Sequence, residues 1–191
     1  VRIRVSGQGA PAGEVVLPTR YGGDVPIKVL ALGDRDILLA ETDGNGGTGM
    51  AQRLGVIVGV DDAGRLRLIG IESLQIQDST TCESEARMVG ALTALAGGRL
   101  RFACDYARKR GECGFRWRGR PHRERWSESL GYDGRDAIVS SLLPSGAGPV
   151  QTATYAARQR VTRELTRPVT DLRRVRLSST GIFDLASVRL R

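Results

Sequence analysis

Residues 54–76 read LGVIVGVDDAGRLRLIGIESLQI, and the four letters at their centre, Asp61-Asp62-Ala63-Gly64, decide the fold. Runs rich in Val, Ile and Leu flank them on both sides. β-branched residues lose side-chain freedom in a helix but pack well on a pleated surface. Asp opens a turn through its side chain, and Gly reaches positive φ at no steric cost. The stretch is therefore predicted to be a β-hairpin.

Similar runs extend toward the N-terminus: VRIRV (1–5), EVVL (14–17), VPIKVLAL (25–32) and DILLAE (36–41). Further strands are expected at 99–106, 112–118 and 122–128, with two closing strands around Ser178-Ser179-Thr180-Gly181 in 171–191. Most connections are short. Parallel strands need crossovers of a dozen residues or more, so short connections imply antiparallel pairing. The expectation is a mainly β (α+β) single domain over 1–191, an antiparallel meander forming a sandwich or barrel with one or two amphipathic helices.

The first helix is expected near 82–96. Met88, Leu92 and Leu95 follow helical spacing, Glu83 and Glu85 suit a helix N-terminus, and Gly97-Gly98 supply a stop. A second helix near 150–165 competes evenly with a strand, because Thr152, Thr154, Val161 and Thr162 fit either. Residues 134–149 are expected to start as a short helix and end in a Pro/Gly loop.

ETDGNGGTGM (41–50) carries Gly44, Gly46 and Gly49 at the spacing of a dinucleotide-binding turn. That turn must lead into a helix whose amides face the pyrophosphate. Strand-like GVIVGV begins about one helical turn after Gly49, and Glu41 and Asp43 add negative charge. The EF-hand pattern fails as well: its sixth position is Thr48 and its twelfth is Leu54. The stretch is expected to be a Gly-rich connection, and no cofactor is expected.

The 191 residues carry a net charge of +8, nearly all from Arg. Such a chain suits an anionic partner. No apolar run reaches the roughly 20 residues that span a bilayer. The chain begins at Val1 with no initiator Met and no signal-like segment, so a leader removed or trimmed away is expected.

Three cysteines, Cys82, Cys104 and Cys113, form no Cys-x-x-Cys motif. With His122 they match no standard zinc module, so no metal is expected. If Arg108-Lys109 forms a two-residue turn, Cys104 faces Cys113, Phe102 faces Phe115 and Leu100 faces Trp117, all on one side. A Cys104–Cys113 disulfide is expected on that basis, with Cys82 paired to either cysteine, or three reduced thiols, as alternatives. The same register sets Arg99 against Arg118 and Arg101 against Arg116. Residues 107–126 hold eight cations against two carboxylates, +6 of the chain's +8.

Arg forks bind phosphate and carboxylate, and aromatics turned toward the core leave no stacking platform. The candidate anion-binding residues are Arg99, Arg101, Arg116, Arg118, Arg120 and Arg123. The expected function is that of a secreted or periplasmic, non-enzymatic domain that binds an anionic partner or supports an envelope assembly. Its partner would be an anionic glycan, a lipid headgroup or a protein, with nucleic acid ranked behind these. One alternative is a β-barrel around a small apolar ligand. Another is a hydrolase using His122, the chain's one histidine, but no catalytic residue is assigned.

Overall fold

The computed structural model describes residues 1–5, 13–17, 25–113, 117–132, 137–175, 183, 185 and 188–190. The strands are β1 (Arg2–Val5), β2 (Gly13–Val16), β3 (Ile27–Leu32), β4 (Arg35–Gly47), β5 (Met50–Val60), β6 (Leu66–Thr81), β7 (Ser84–Leu95), β8 (Arg99–Gly111), β9 (Trp117–Gly131) and β10 (Val139–Ser140). One helix, α1 (Pro149–Leu165), and a 3-10 turn (Leu172–Arg174) follow. β3 to β10 form one antiparallel sheet in sequence order, and β1–β2 form a separate two-stranded sheet. The eight-stranded sheet keeps two free edges, so the architecture is sandwich-like and the barrel expectation falls.

The 54–76 hairpin forms as its letters predict, with Val60 paired to Leu66. Asp61 accepts the Ala63 and Arg65 amides at 3.0 Å each, and Gly64 takes φ +75°. Those hydrogen bonds, the Arg65 amide foremost, hold the Asp61 carboxyl below the usual aspartate range.

Register shifts opposite Leu54 and Val58 interrupt the β5–β6 ladder. Bulges of this kind bend a strand and increase its twist. Leu32, Ile37, Leu39 and Ile57 of β3–β5 accordingly share one core with Met88, Leu92, Leu100 and Phe102 of β7–β8. The β3–β4 and β7–β8 turns meet where Gly33 lies against Gly98. A second core covers Ala40, Leu54, Val56, Val58 and Leu68 with Ile3, Val15, Leu17, Leu172 and Val175.

The helix expected at 82–96 is strand β7. Met88 and Leu92 lie four apart, a spacing that a helix and a strand both satisfy. Ala86, Met88 and Leu92 face the core with period two, whereas Val89 and Leu95 are exposed on the other side. Gly90 conceals the alternation: a Cβ there would come within 2.8 Å of both the Phe102 ring and the Ser73 carbonyl. Pairing with β6 and β8 on both sides outweighs the weak helical pattern.

The second helix is α1. Its buried Val150, Thr154, Ala157, Arg158, Val161 and Leu165 form one helical stripe. No helix among the described residues is long and apolar enough to cross a membrane. Where a short helix was expected from 134, residues 139–140 form strand β10 and 134–136 lie outside the described residues. Of the two expected closing strands, residues 172–174 form the 3-10 turn and most of the remainder lies outside the described residues.

Candidate functional site

The arginine-rich segment is a longer hairpin than its letters suggest. β8 runs to Gly111, so Arg108-Lys109 lies within the strand and the connection falls at 112–116. Arg99 faces Gly131, Arg101 faces Ser129, Phe102 faces Glu128 and Cys104 faces Trp126. A register shift near Arg108 and a positive φ of 71° at Gly119 then bring Arg110 directly opposite Arg118.

That register overturns the expected disulfide. Cys104 is a buried free thiol beneath the sheet, and burial pushes its pKa up. Cys113, in the β8–β9 turn, bonds instead to Cys82, in the β6–β7 turn. These turns emerge at the same end of the sheet, and the Gly111 amide donates to the Glu83 carbonyl at 2.9 Å beside them.

The predicted anion-binding set divides between two faces. Arg99, Arg101 and Arg123 project from the outer face of β8–β9. There Arg101 donates to Ser127 Oγ at 3.0 Å, and neighbouring Arg125 pairs with Asp105 at 2.6 Å. Arg118 and Arg120 instead line a pocket of about 210 Å³ with Arg108, Arg110, His122 and Leu190. Arg116 lies outside the described residues. The signal for Arg108 and Arg110 was present in sequence, since both continue the alternation of Phe102, Cys104 and Tyr106. It was obscured by placing the turn at 108–109.

Several contacts orient the pocket wall. Arg108 Nε donates to Ser84 Oγ at 2.9 Å, and Arg118 pairs with the exposed Glu112 at 2.6 Å. His122 Nε2 lies 2.9 Å from Glu124 Oε1. Glu124 also accepts the Val150 and Gln151 amides at 3.0–3.1 Å, capping α1 where Gly148 has no side chain to do so. Tyr106 packs edge-on to His122, with ring centroids 6.1 Å apart. Its hydroxyl is buried and makes no hydrogen bond of normal geometry among the described residues. Burial pushes the Tyr106 pKa up, and the nearby Arg108 guanidinium partly offsets that.

Deeper in the fold, Arg158 of α1 is clamped between carboxylates. Its Nε and Nη2 contact Glu72, and its Nη1 reaches Glu128 at 2.8 Å and Ser140 at 2.7 Å. Burial drives the Glu72 carboxyl up against the pull of Arg158. Burial also opposes the Arg158 charge, but the two glutamates outweigh it and keep the guanidinium above its ordinary value. This cluster ties β6, β9, β10 and α1 together, and its carboxylates are occupied by Arg158.

His122 and Glu124 share a face, whereas Ser127 and Ser129 fall on the opposite alternation of β9, away from His122. Two of the cysteines considered for zinc are consumed by the disulfide, and no group of three or more His, Cys, Asp and Glu among the described residues could hold a metal. Trp117, expected in the core, is exposed and carries Lys109 at 5.9 Å from its ring. The 41–50 stretch is a bulged β4–β5 hairpin turning at Thr48-Gly49, in which Gln52 accepts the Asn45 amide at 3.0 Å.

No family model, curated protein or solved structure matches the chain.

Proposed function

We propose that this chain is a secreted or periplasmic, non-enzymatic domain that binds an anionic partner, or supports an envelope assembly, through the β8–β9 hairpin tip. The observation that carries the reading is the convergence of Arg108, Arg110, Arg118, Arg120 and His122 on one pocket. Like charges directly opposite on neighbouring strands are destabilising, so the Arg110–Arg118 pair costs the free protein stability that a bound anion restores. The Cys82–Cys113 disulfide supports an oxidising compartment. An anionic glycan, a lipid headgroup or an acidic protein fits this cluster better than nucleic acid, because the exposed Trp117 face is occupied by Lys109.

The test compares two triple variants: Arg110→Gln/Arg118→Gln/Arg120→Gln in the pocket, and Arg99→Gln/Arg101→Gln/Arg123→Gln on the outer face. Both lose the same charge. Binding to a sulfated glycan, anionic vesicles and an oligonucleotide is measured against salt concentration. The pocket variant is expected to lose affinity and salt dependence while the outer-face variant keeps both. Equal loss in both would reduce the effect to net charge and overturn the reading, as would no loss in either.

A further inference from the structure

Building on the reading of the pocket as an anion site, we infer that its ligand group is a phosphomonoester: one dianionic tetrahedral phosphate presented at the end of a larger molecule. Charge balance points first to a dianion. Four arginines line the pocket, and Glu112 is paired to one of them. A single negative charge leaves most of the Arg110–Arg118 repulsion in place, whereas a double charge leaves the cluster with about one net positive charge. A phosphomonoester carries about −1.5 to −2 at neutral pH and three terminal oxygens. A diester has one charge and two such oxygens, too few acceptors to engage guanidinium forks from both strands.

Size points the same way. At about 210 Å³ the pocket falls below the roughly 300–1,000 Å³ of sites that enclose whole small molecules. It suits one terminal group, with Leu190 beside the four arginines and His122 in its lining.

Tyr106 supplies the third observation. Arg108 can only donate to the Tyr106 oxygen, so the phenol proton has no acceptor among the described residues, and a buried donor left in that state is costly. Tyr106 precedes Arg108 on the same face and packs against His122, both of which line the pocket. Tyr106 does not itself line the pocket, and a phosphate oxygen that passes between Arg108 and His122 would supply the acceptor its hydroxyl lacks.

The experiment is calorimetric titration at pH 7.5 and fixed ionic strength. Phenyl phosphate and inorganic phosphate are compared with dimethyl phosphate, and vesicles containing phosphatidic acid with vesicles containing phosphatidylglycerol. The monoester is expected to bind at least about tenfold more tightly than the diester. Preference in the soluble arm alone identifies a small phosphorylated ligand; preference in the vesicle arm as well extends the ligand class to a lipid headgroup. Arg110→Gln/Arg120→Gln should weaken phenyl phosphate at least about tenfold. Tyr106→Phe should weaken it about three- to tenfold without lowering the melting temperature, since it deletes an unpaired hydroxyl. Equal binding of monoester and diester overturns the inference. If a sulfated glycan binds through Arg110 and Arg120 while phenyl phosphate does not, the monoester inference fails and the anionic-partner reading survives. If no anion binds, both fall.

Discussion

Replacing Arg158 with Met removes the one cation that lies between Glu72 and Glu128. The guanidinium has only 3% of its side-chain surface exposed, and it also lies 5.2 Å from the Phe102 ring centroid. Met fills most of the volume but supplies no charge and no donor, so two carboxylates remain buried beside each other. Breaking a buried ion pair in this way costs about 3–5 kcal/mol. With about 2.1 cal/mol/K of unfolding entropy per residue over 191 residues, the melting temperature should fall by about 7–12 °C. The pH dependence is the sharper signature. Burial already raises Glu72, and losing Arg158 raises it further. A carboxyl whose folded pKa exceeds its unfolded value contributes stability below the unfolded value of 4.5, and that contribution is lost as pH rises through the folded pKa. The deficit of Arg158→Met should therefore be largest at pH 8 and shrink toward pH 5. Urea unfolding followed by circular dichroism at pH 5, 6.5 and 8 measures it. A deficit below about 1 kcal/mol at pH 8, or one that does not change with pH, refutes the reasoning. Replacing all three residues with apolar ones (Glu72→Leu, Glu128→Leu and Arg158→Met) should recover most of the loss, because the desolvation of three charges disappears with them.

Four more outcomes follow from the geometry. The Cys82–Cys113 bond spans 31 residues of sequence, so Cys82→Ser/Cys113→Ser should lose about 3–4 kcal/mol in thermal or urea unfolding. A thiol reagent should find none reactive in the native protein and one, Cys104, after denaturation; three thiols would contradict the pairing. Gly90→Ala should cost about 1–3 kcal/mol, since its methyl meets the Phe102 ring and the Ser73 carbonyl, and a neutral result would mean that β7 is not packed as described. Asp61→Asn should destabilise at neutral pH and match the parent in acid. The parent's depressed carboxyl contributes stability above the usual value of 3.8 and loses it as pH falls through its folded pKa; a pH-independent difference in chemical unfolding would exclude that role.

Where the sequence was readable, the deciding interactions were local. Asp61 and Gly64 sit inside the turn that they specify, whereas the 41–50 stretch, expected as a Gly-rich connection, is strand β4 as far as Gly47. The antiparallel meander follows from connections whose lengths can be counted. β7 was concealed because the four-residue interval from Met88 to Leu92 fits two periods, and because Gly90 removes the side chain that would have shown alternation. The hairpin tip was misread for a different reason. Aligning Cys104 with Cys113 satisfied local sterics, but the partner of Cys113 lies in another turn, an arrangement set by β7 and β8 pairing along their full lengths. Of the four arginines that line the pocket, Arg118 and Arg120 were among the residues expected to bind an anion. Arg108 and Arg110 were assigned to a turn, and the division between faces depends on a register shift and on Gly119, neither of which periodicity encodes. Arg158 and its two glutamates were not singled out at all, since nothing local distinguishes them from surface charges.

The segment at 169–171 has a consequence for how the molecule is made. The Val16 amide donates to the Thr170 carbonyl at 2.7 Å, and the Leu68 amide donates to the Val169 carbonyl at 2.9 Å. β1 and β2 are thus joined to the central sheet through residues that follow every strand of that sheet in sequence. β3 to β9 can pair in the order of their synthesis, each with its predecessor, and low contact order of this kind favours fast folding. The Val56, Val58 and Leu68 face, however, is fully covered only when Val161, Leu165, Leu172 and Val175 join Ile3, Val15 and Leu17 on it. Until those residues are made, a nascent chain carries a paired but partly bare sheet, and that interval is when it most needs shielding from other chains.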